Sequence, residues 1–403
     1  MTLRFLIHAA GAARPGQLAT LGLALARADA RLLDVEQRVT FGSVDFDLLV
    51  EIEGDASREA LEGELSDASD QSGLEVTLFS VERGDHTRWR ETGAQPRLVL
   101  SLMGPRLPAL VVAEVGRLIG AHGLTIERIE RLSGPGDLGD EPGTLGACLE
   151  FRLRGETDID ALRRAAQGVG ETHGVDIALQ ADDVWRRHRR LVCFDMDSTL
   201  IKAEVIDELA RRHGVYEEVA EITERAMRGE LDFQQSFRQR MSKLNGLDES
   251  ALAEIADALP LMDGVERLMS ELKRLGYRTA ILSGGFTYFA RRLQERLGFD
   301  EVHANELVVR DGKVTGEVSE PIIDAERKAW LLRQIAAREG LDMAQTVAVG
   351  DGANDLKMLA AAGLGVAFHA KPLVREQARQ SVSTLGLDAL LYLLGYRHGE
   401  LNA

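Results

Sequence analysis

Asp195 and Asp197 directly follow the apolar run Leu191-Val192-Cys193-Phe194. In extended chain, residues two apart face the same way, so both carboxylates would address one ligand. Carboxylates that close repel each other, and a divalent cation is the usual relief. A second apolar run, Thr279 to Leu282, ends in Ser283-Gly284-Gly285, a hydroxyl followed by bare backbone N–H groups suited to cradling an anion. A third, Thr346 to Val349, ends in Gly350-Asp351-Gly352-Ala353-Asn354-Asp355 and adds oxygen donors for a hard metal. Between the last two, Lys328 opens a helix whose other residues are mostly neutral or apolar. A lone Asp-x-Asp says little. Three apolar runs ending in polar clusters in this order point to one site for a metal and an anion.

Such a set requires elements that bring the ends of the runs together. Continuous apolar runs are expected of parallel strands buried on both faces. Their alternation with long helices after residue 190 predicts an α/β domain, which gathers ligands at the carboxyl ends of its strands. The first half of the chain reads differently. Arg4 to His8, the turn Gly11 to Gly16, the helical run Leu18 to Arg27, and strands at Arg31 to Glu36, Asp45 to Ile52 and Leu74 to Phe79 form one unit. Arg97 to Ser101, Gly104-Pro105, Val111 to Ala121, Leu124 to Glu127, Ala147 to Leu153 and Val175 to Leu179 repeat it at an offset of roughly 94 positions. Each reads βαββαβ, so a small domain is duplicated. The basic cluster Arg186-Arg187-His188-Arg189-Arg190 separates the halves and is expected to be a solvated linker face.

The 403 residues carry 48 Lys+Arg and 65 Asp+Glu, a formal charge of −17. That length suggests two to four domains, and that charge argues against nucleic acid or an anionic membrane as partner. It also means that an anionic substrate would need local cations. Two cysteines, Cys148 and Cys193, leave no room for a disulfide framework or a cysteine-based zinc site and are expected to be buried in a reducing cytoplasm. The apolar start Met1 to Ile7 is broken by His8 and Arg14-Pro15-Gly16, so no signal peptide is read there. No run approaches the ~18 apolar residues of a membrane span. His213, His303 and His369 have no second nitrogen or sulfur ligand at useful spacing.

The motifs from Asp195 to Asp355 resemble the haloacid dehalogenase superfamily, and within it the phosphoserine phosphatases. The resemblance implies a Rossmann-like α/β core at 190–403 with a small helical cap at about 205–262. It makes Asp195 the nucleophile that becomes an aspartyl phosphate, and Asp197 the acid and then the base. Mg²⁺ would be held by Asp195, Asp351 and the backbone carbonyl of Asp197, with Asp355 behind, while Ser283, Gly284 and Lys328 would hold the phosphoryl oxygens. The substrate implied is O-phospho-L-serine: Glu204 would meet its ammonium and Arg240 its carboxylate, under a lid of Met227 and Phe233, with Asn354 a further hydrogen-bonding group. By type alone Glu204 is equally a solvated helix residue, Arg240 the partner of a nearby carboxylate, Phe233 a core side chain, and Asn354 a turn residue. Another small phosphomonoester, such as phosphohomoserine, is the rival substrate, and an amino-acid sensor with a vestigial core is the rival class.

The repeated units, at 1–85 and 95–182, resemble the ferredoxin-like ACT domain, which implies an amino-acid effector such as L-serine and a homodimer. In that family an Asp and a Gly after the first strand often hold the effector. Here Gly16 remains but Ala13 stands in place of the Asp, and the second loop, Gly104 to Pro108, departs further, so a structural or dimerisation role is the alternative to an effector site.

Overall fold

The computed structural model describes residues 2–82, 84–85, 87, 91, 93–134 and 146–401. Met1, Arg83, Asn402 and Ala403, which belong to the expected first and third units, lie outside the described residues. The chain divides into two compact units, Met1–Gln95 and Pro96–Ala403.

In the first unit, β1 (Thr2–Ala12), α1 (Gln17–Arg27), β2 (Arg31–Thr40), β3 (Ser43–Glu53), α2 (Asp55–Ser72) and β4 (Leu74–Ser80) build an antiparallel sheet of order β2-β3-β1-β4. Strand β3 shows why: Val44, Phe46, Leu48, Val50 and Ile52 alternate inward and are buried with Leu21, Leu25, Leu61 and Leu65 of the helices. Edge strand β2 leaves Leu32, Val35 and Val39 exposed.

The second unit opens with a repeat of that topology. β5 (Arg97–Gly104), α3 (Ala109–Ala121), β6 (Thr125–Arg131), β7 (Ala147–Arg154), α4 (Ile159–His173) and β8 (Asp176–Ala181) give the order β6-β7-β5-β8. The expected βαββαβ duplication is therefore present in both units.

The rest of the second unit is a six-stranded parallel sheet of order β11-β10-β9-β14-β15-β16. Its strands are β9 (Leu191–Phe194), β10 (Arg278–Phe286), β11 (Glu301–Asn305), β14 (Thr346–Gly350), β15 (Leu364–Phe368) and β16 (Gln380–Val382); β12 (Leu307–Arg310) and β13 (Lys313–Val318) form a separate hairpin. Four helices follow β9: α5 (Val205–His213), α6 (Tyr216–Met227), α7 (Phe233–Lys243) and α8 (Ser250–Ala258). Then come α9 (Val265–Arg274), α10 (Thr287–Leu297), α11 (Ala325–Arg338), α12 (Leu356–Ala361) and α13 (Pro372–Gln377). All four residues of β9 are buried, as the apolar run requires of a central strand. β10 pairs with one side of β9 and β14 with the other, so the crevice forms where the chain reverses direction across the sheet, beyond Phe194.

The second βαββαβ module is bonded to this sheet. The Gln380 amide accepts from Leu179 N–H (2.8 Å) and donates to the Leu179 carbonyl (2.5 Å). Asp176 accepts from Ser383 N–H (2.8 Å), Thr384 N–H (2.9 Å) and Thr384 Oγ1 (2.6 Å). The basic run also differs from its expected solvated state. Arg186 is 4% exposed and forms a 2.5 Å ion pair with buried Glu150 of β7. Arg189 is 6% exposed and donates to the Arg186 carbonyl and to Gln180. Burial and the neighbouring Arg186 bring Arg189 down to about 10. Arg186 and Arg189 are buried because Glu150 and Gln180 of the module supply acceptors, while Arg187 and His188 stay exposed as expected. Both cysteines are free and buried, as expected. Among the described residues, no helix is long and apolar enough to cross a membrane.

Breaking a buried ion pair on one side strands the other charge at a cost of about 3–5 kcal/mol. Arg186→Met is therefore expected to destabilise the second unit by about that amount, and Arg186→Met with Glu150→Gln by distinctly less. Urea denaturation of the three proteins checks it.

Candidate active site

Asp195 extends the β9 ladder by one bond, its N–H donating to the Val349 carbonyl (2.9 Å). Its Oδ1 accepts from Met196 N–H (2.8 Å) and lies 2.7 Å from Lys328 Nζ. Lys328 is fully buried in the first turns of α11, a helix whose N-cap Asp324 accepts from Arg327 N–H (3.0 Å). The ammonium also donates to Asp355 Oδ1 at 2.7 Å. Burial alone would lower its pKa, but the Asp195 and Asp355 carboxylates outweigh this and hold it above the usual lysine range. Asp355 Oδ2 accepts from Gly352 N–H (3.0 Å), folding the carboxylate back over Gly350, where a Cβ would lie 2.4 Å from Asp355 Cγ. Glycine is the residue that fits there.

Carboxylate oxygens of Asp195, Asp351 and Asp355 lie within 4.8 Å of one another. Burial first, then the neighbouring carboxylates, push Asp351 up to about 8 and Asp355 up to about 7 from an ordinary 3.8; for Asp355, Lys328 offsets part of the rise. Thr199 Oγ1 donates to Asp351 Oδ1 (3.2 Å) and orients it. This is a set of hard oxygen donors with more negative charge than one lysine balances, and it fits a divalent cation. The side chain of Asp197 stands apart from that trio. Its Oδ1 accepts from Val205 N–H at the start of α5 (3.1 Å). Burial, then Glu204 and Asp195, push its pKa well above the carboxylate range, so the carboxyl tends to keep its proton.

Ser283, at the carboxyl end of β10, is fully buried, and its Oγ accepts from Gly285 N–H (2.9 Å). A Cβ on Gly285 would lie 2.6 Å from Asp197 Oδ2 and 2.7 Å from Met196 Cε; one on Gly284 would lie 3.1 Å from Phe233 Cζ. The two glycines let the β9 carboxylates and the cap close onto the β10 backbone.

The cap supplies the remaining groups. Asp232 and Gln235 form a capping box, with Gln235 N–H to Asp232 Oδ1 at 2.7 Å and Asp232 N–H to Gln235 Oε1 at 3.1 Å. This starts α7 at Phe233, whose ring stacks on Phe237 with centroids 6.1 Å apart and reaches Gly284. Two turns on, Arg240 is partly buried, and its Nε has no hydrogen-bond partner among the described residues. Burial lowers its pKa, while Glu204, Asp207 and Asp197 act in the opposite direction, so the guanidinium faces those carboxylates. Glu204 caps α5, accepts from Ser198 Oγ (2.8 Å) and is raised chiefly by burial. Ser198 sits at a positive φ of 56°, a conformation that costs a non-glycine residue. Asn354 is half-buried over Gly352. Met227, at the end of α6, is 68% exposed, so in this conformation it does not lie as a buried lid.

Thus Asp195, Asp197, Ser283, Gly284, Lys328, Asp351 and Asp355 converge on the carboxyl ends of β9, β10 and β14, and Glu204, Phe233 and Arg240 reach the same place from the cap side. Sequence reasoning missed Asn305. This residue, 3% exposed at the end of β11, donates from Nδ2 to the Gly284 carbonyl (2.8 Å) and accepts at Oδ1 from Ile323 N–H (2.8 Å). The available signal was a polar residue closing a strand next to β10.

Residues 189–363 match the haloacid dehalogenase-like hydrolase family, and residues 4–78 match the ACT domain. A phosphoserine phosphatase of Streptomyces coelicolor is 42% identical over 402 residues, covering 99% of this chain and 93% of its own. One from Mycobacterium tuberculosis is 39% identical over 401 residues, covering 99% and 94%. A probable phosphoserine phosphatase from Vibrio cholerae, solved in unliganded form, superposes with a TM-score of 0.60 at 36% identity, over 75% of this chain and 87% of that one. With relatives aligned along nearly their whole length, the chain belongs to the phosphoserine phosphatases, haloacid dehalogenase-like hydrolases that here carry an N-terminal ACT domain.

Proposed function

We propose that this chain hydrolyses O-phospho-L-serine to L-serine and phosphate, the last step of L-serine biosynthesis, through an aspartyl phosphate on Asp195. One observation carries the reading: an aspartate tied at 2.7 Å to a buried lysine stands beside a second aspartate whose carboxyl is biased toward its protonated form. Asp195 forms its bond to phosphorus as the bond between phosphorus and the seryl oxygen breaks, and Asp197 gives its proton to that departing oxygen. Asp197, now a carboxylate, takes a proton from water as that water attacks the phosphorus, which frees phosphate and restores Asp195. Ser283, the Gly284 N–H and Lys328 hold the phosphoryl oxygens where charge gathers. Glu204 receives the substrate ammonium and Arg240 its carboxylate; Phe233 and Met227 supply the apolar cover, and Asn354 a further hydrogen bond.

Mg²⁺ is the cation proposed for Asp195, Asp351 and the Asp197 carbonyl, with Asp355 behind, and it would supply positive charge against the phosphate. We take 1–85, 95–182 and 190–403 as the three units, with the cap at about 205–262. Two buried thiols agree with a reducing cytoplasm. The exposed apolar residues of edge strand β2 agree with pairing of two chains in a homodimer. In the first unit a cavity of about 370 Å³ between Arg14, Gly16, Gln37, Val39 and Phe46 is proposed to take an amino-acid effector such as L-serine.

Asp195→Asn is expected to lower phosphoserine turnover by about 10³-fold or more, whereas Arg240→Ala should spare phosphomonoesters that lack a carboxylate. A steady-state panel of phosphoserine, phosphothreonine, phosphohomoserine and phosphoethanolamine reads both effects. Wild-type turnover by Asp195→Asn overturns the mechanism, and equal losses on all four substrates overturn the role of Arg240.

Because Asp351 and Asp355 stand above their unfolded values, the native chain binds more protons than the unfolded one between about pH 4 and pH 8. Their contribution to metal-free stability therefore falls as pH rises through that window, and a cation that replaces the protons restores it. Mg²⁺ is expected to raise the melting temperature more at about pH 8 than at about pH 5.5. Differential scanning fluorimetry with EDTA as reference checks this, and equal shifts would count against the site.

L-Serine is expected to reduce kcat in the wild type and to lose that effect in Val39→Trp, which fills the proposed effector cavity. Inhibition kinetics on both proteins decide it, and the same inhibition in both removes this site.

A further inference from the structure

We propose that Asn305 is a positioning residue for phosphoryl transfer, setting the spacing between the Ser283-Gly284 cradle and the helix that carries Lys328. The inference rests on the phosphatase reading of the site. The orientation of the amide is dictated by its partners: the Gly284 carbonyl can only accept, so Nδ2 must face it, and the Ile323 N–H can only donate, so Oδ1 must face that. Both contacts are 2.8 Å, and the side chain is 97% buried, beyond the reach of competing water.

The two contacts join separate parts of the site. Gly284 lies in the backbone that would meet the phosphate, directly after Ser283. A free Gly284 carbonyl could swing toward the phosphate, and an oxygen there would repel the anion; the Asn305 donor holds it away. Ile323 immediately precedes Asp324, the N-cap of α11, and Lys328 follows in the next turn of that helix. Asp324 also accepts from Gln234 Nε2 of cap helix α7 (2.8 Å), and Arg238 of the same helix pairs with Glu320. One buried amide thus links the phosphate cradle, the start of the Lys328 helix and the segment on which the cap rests. A residue that only filled the core would not need a donor on one side and an acceptor on the other.

The test compares Asn305→Ala and Asn305→Asp with the wild type in the full chain with Mg²⁺. Readouts are kcat/KM on phosphoserine from about pH 5.5 to 8 and the Kd of orthophosphate by calorimetry. An aspartate carboxylate keeps the acceptor for Ile323 but turns oxygen against oxygen at Gly284; when protonated it regains a donor and copies the amide. Asn305→Ala is expected to weaken orthophosphate about tenfold and to lower kcat/KM by about 10–100-fold. Asn305→Asp should match that loss at pH 8 and, normalised to the wild type at each pH, recover at least about threefold by pH 5.5. An Asn305→Asp deficit that stays constant with pH, or an orthophosphate Kd unchanged in both variants, overturns the proposal. If Asn305→Ala does not fold, the isosteric Asn305→Asp decides alone. If the wild type proves inactive on phosphoserine, the activity reading fails, and the orthophosphate Kd still decides the role of Asn305.

Discussion

The buried ammonium of Lys328 holds the site together. Removed from water without partners, it would be among the least tolerable groups in the fold. Between Asp195 and Asp355, at 2.7 Å from each, it joins the end of β9, the turn after β14 and the start of α11. Those three segments arrive from distant parts of the sequence, so the charge triad acts as a register pin for the phosphatase core. It also explains the glycine at 350, because the Asp355 side chain must fold back over that backbone to reach the lysine. The triad does not neutralise itself. Two carboxylates and one ammonium leave a negative remainder, Asp351 adds to it, and burial first, with that imbalance added, holds Asp351 and Asp355 high. A site left short of positive charge is suited to a cation.

The same crowding separates the two aspartates of the Asp-x-Asp pair. They lie two residues apart, yet one contacts the lysine, while the other accepts from Val205 N–H, lies against Gly285 and is raised by burial and by the Glu204 carboxylate. Environment, not residue type, sets the two apart, as the proposed roles of nucleophile and proton donor require. The cap extends this logic. Glu204 and Arg240 remain partly desolvated near each other while Arg240 keeps an Nε unpartnered among the described residues. These opposite charges are the pair proposed to meet the two ends of an α-amino acid.

Much of this was legible in the sequence, for a definable reason. Strand-end motifs are local: an apolar run and the polar residues that close it declare both the strand and its catalytic end, so Asp195, Ser283 and Asp351 could be aligned without coordinates. The duplication was legible because period and topology repeat together. Nothing local, by contrast, distinguishes Arg186 from a solvated arginine, since Glu150, the partner that buries it, lies 36 residues earlier on strand β7. Asn305 was silent for the same reason. Its partners are 21 and 18 residues away, and its meaning lies in the sum of two contacts, neither unusual alone. Met227 is a different case, exposed in this conformation. Its residue type suits a lid, but its placement depends on how the cap sits, which an open helix end does not determine.

The formal charge of −17 might be expected to repel a phosphorylated substrate. Surface charges, however, are screened over about 8–10 Å at ordinary ionic strength, so most of that field does not reach the crevice beyond β9. What reaches it are groups within hydrogen-bond range: Lys328, the backbone N–H groups of the β10 loop, and the Arg240 guanidinium. In a desolvated pocket each of these counts for more than many solvated carboxylates on the surface. Net charge is thus an argument about the exterior of the chain, while Lys328 and the partly buried Arg240 are the cations proposed to admit the substrate. The two are compatible because one is a property of the exterior and the other of a space from which water is largely excluded.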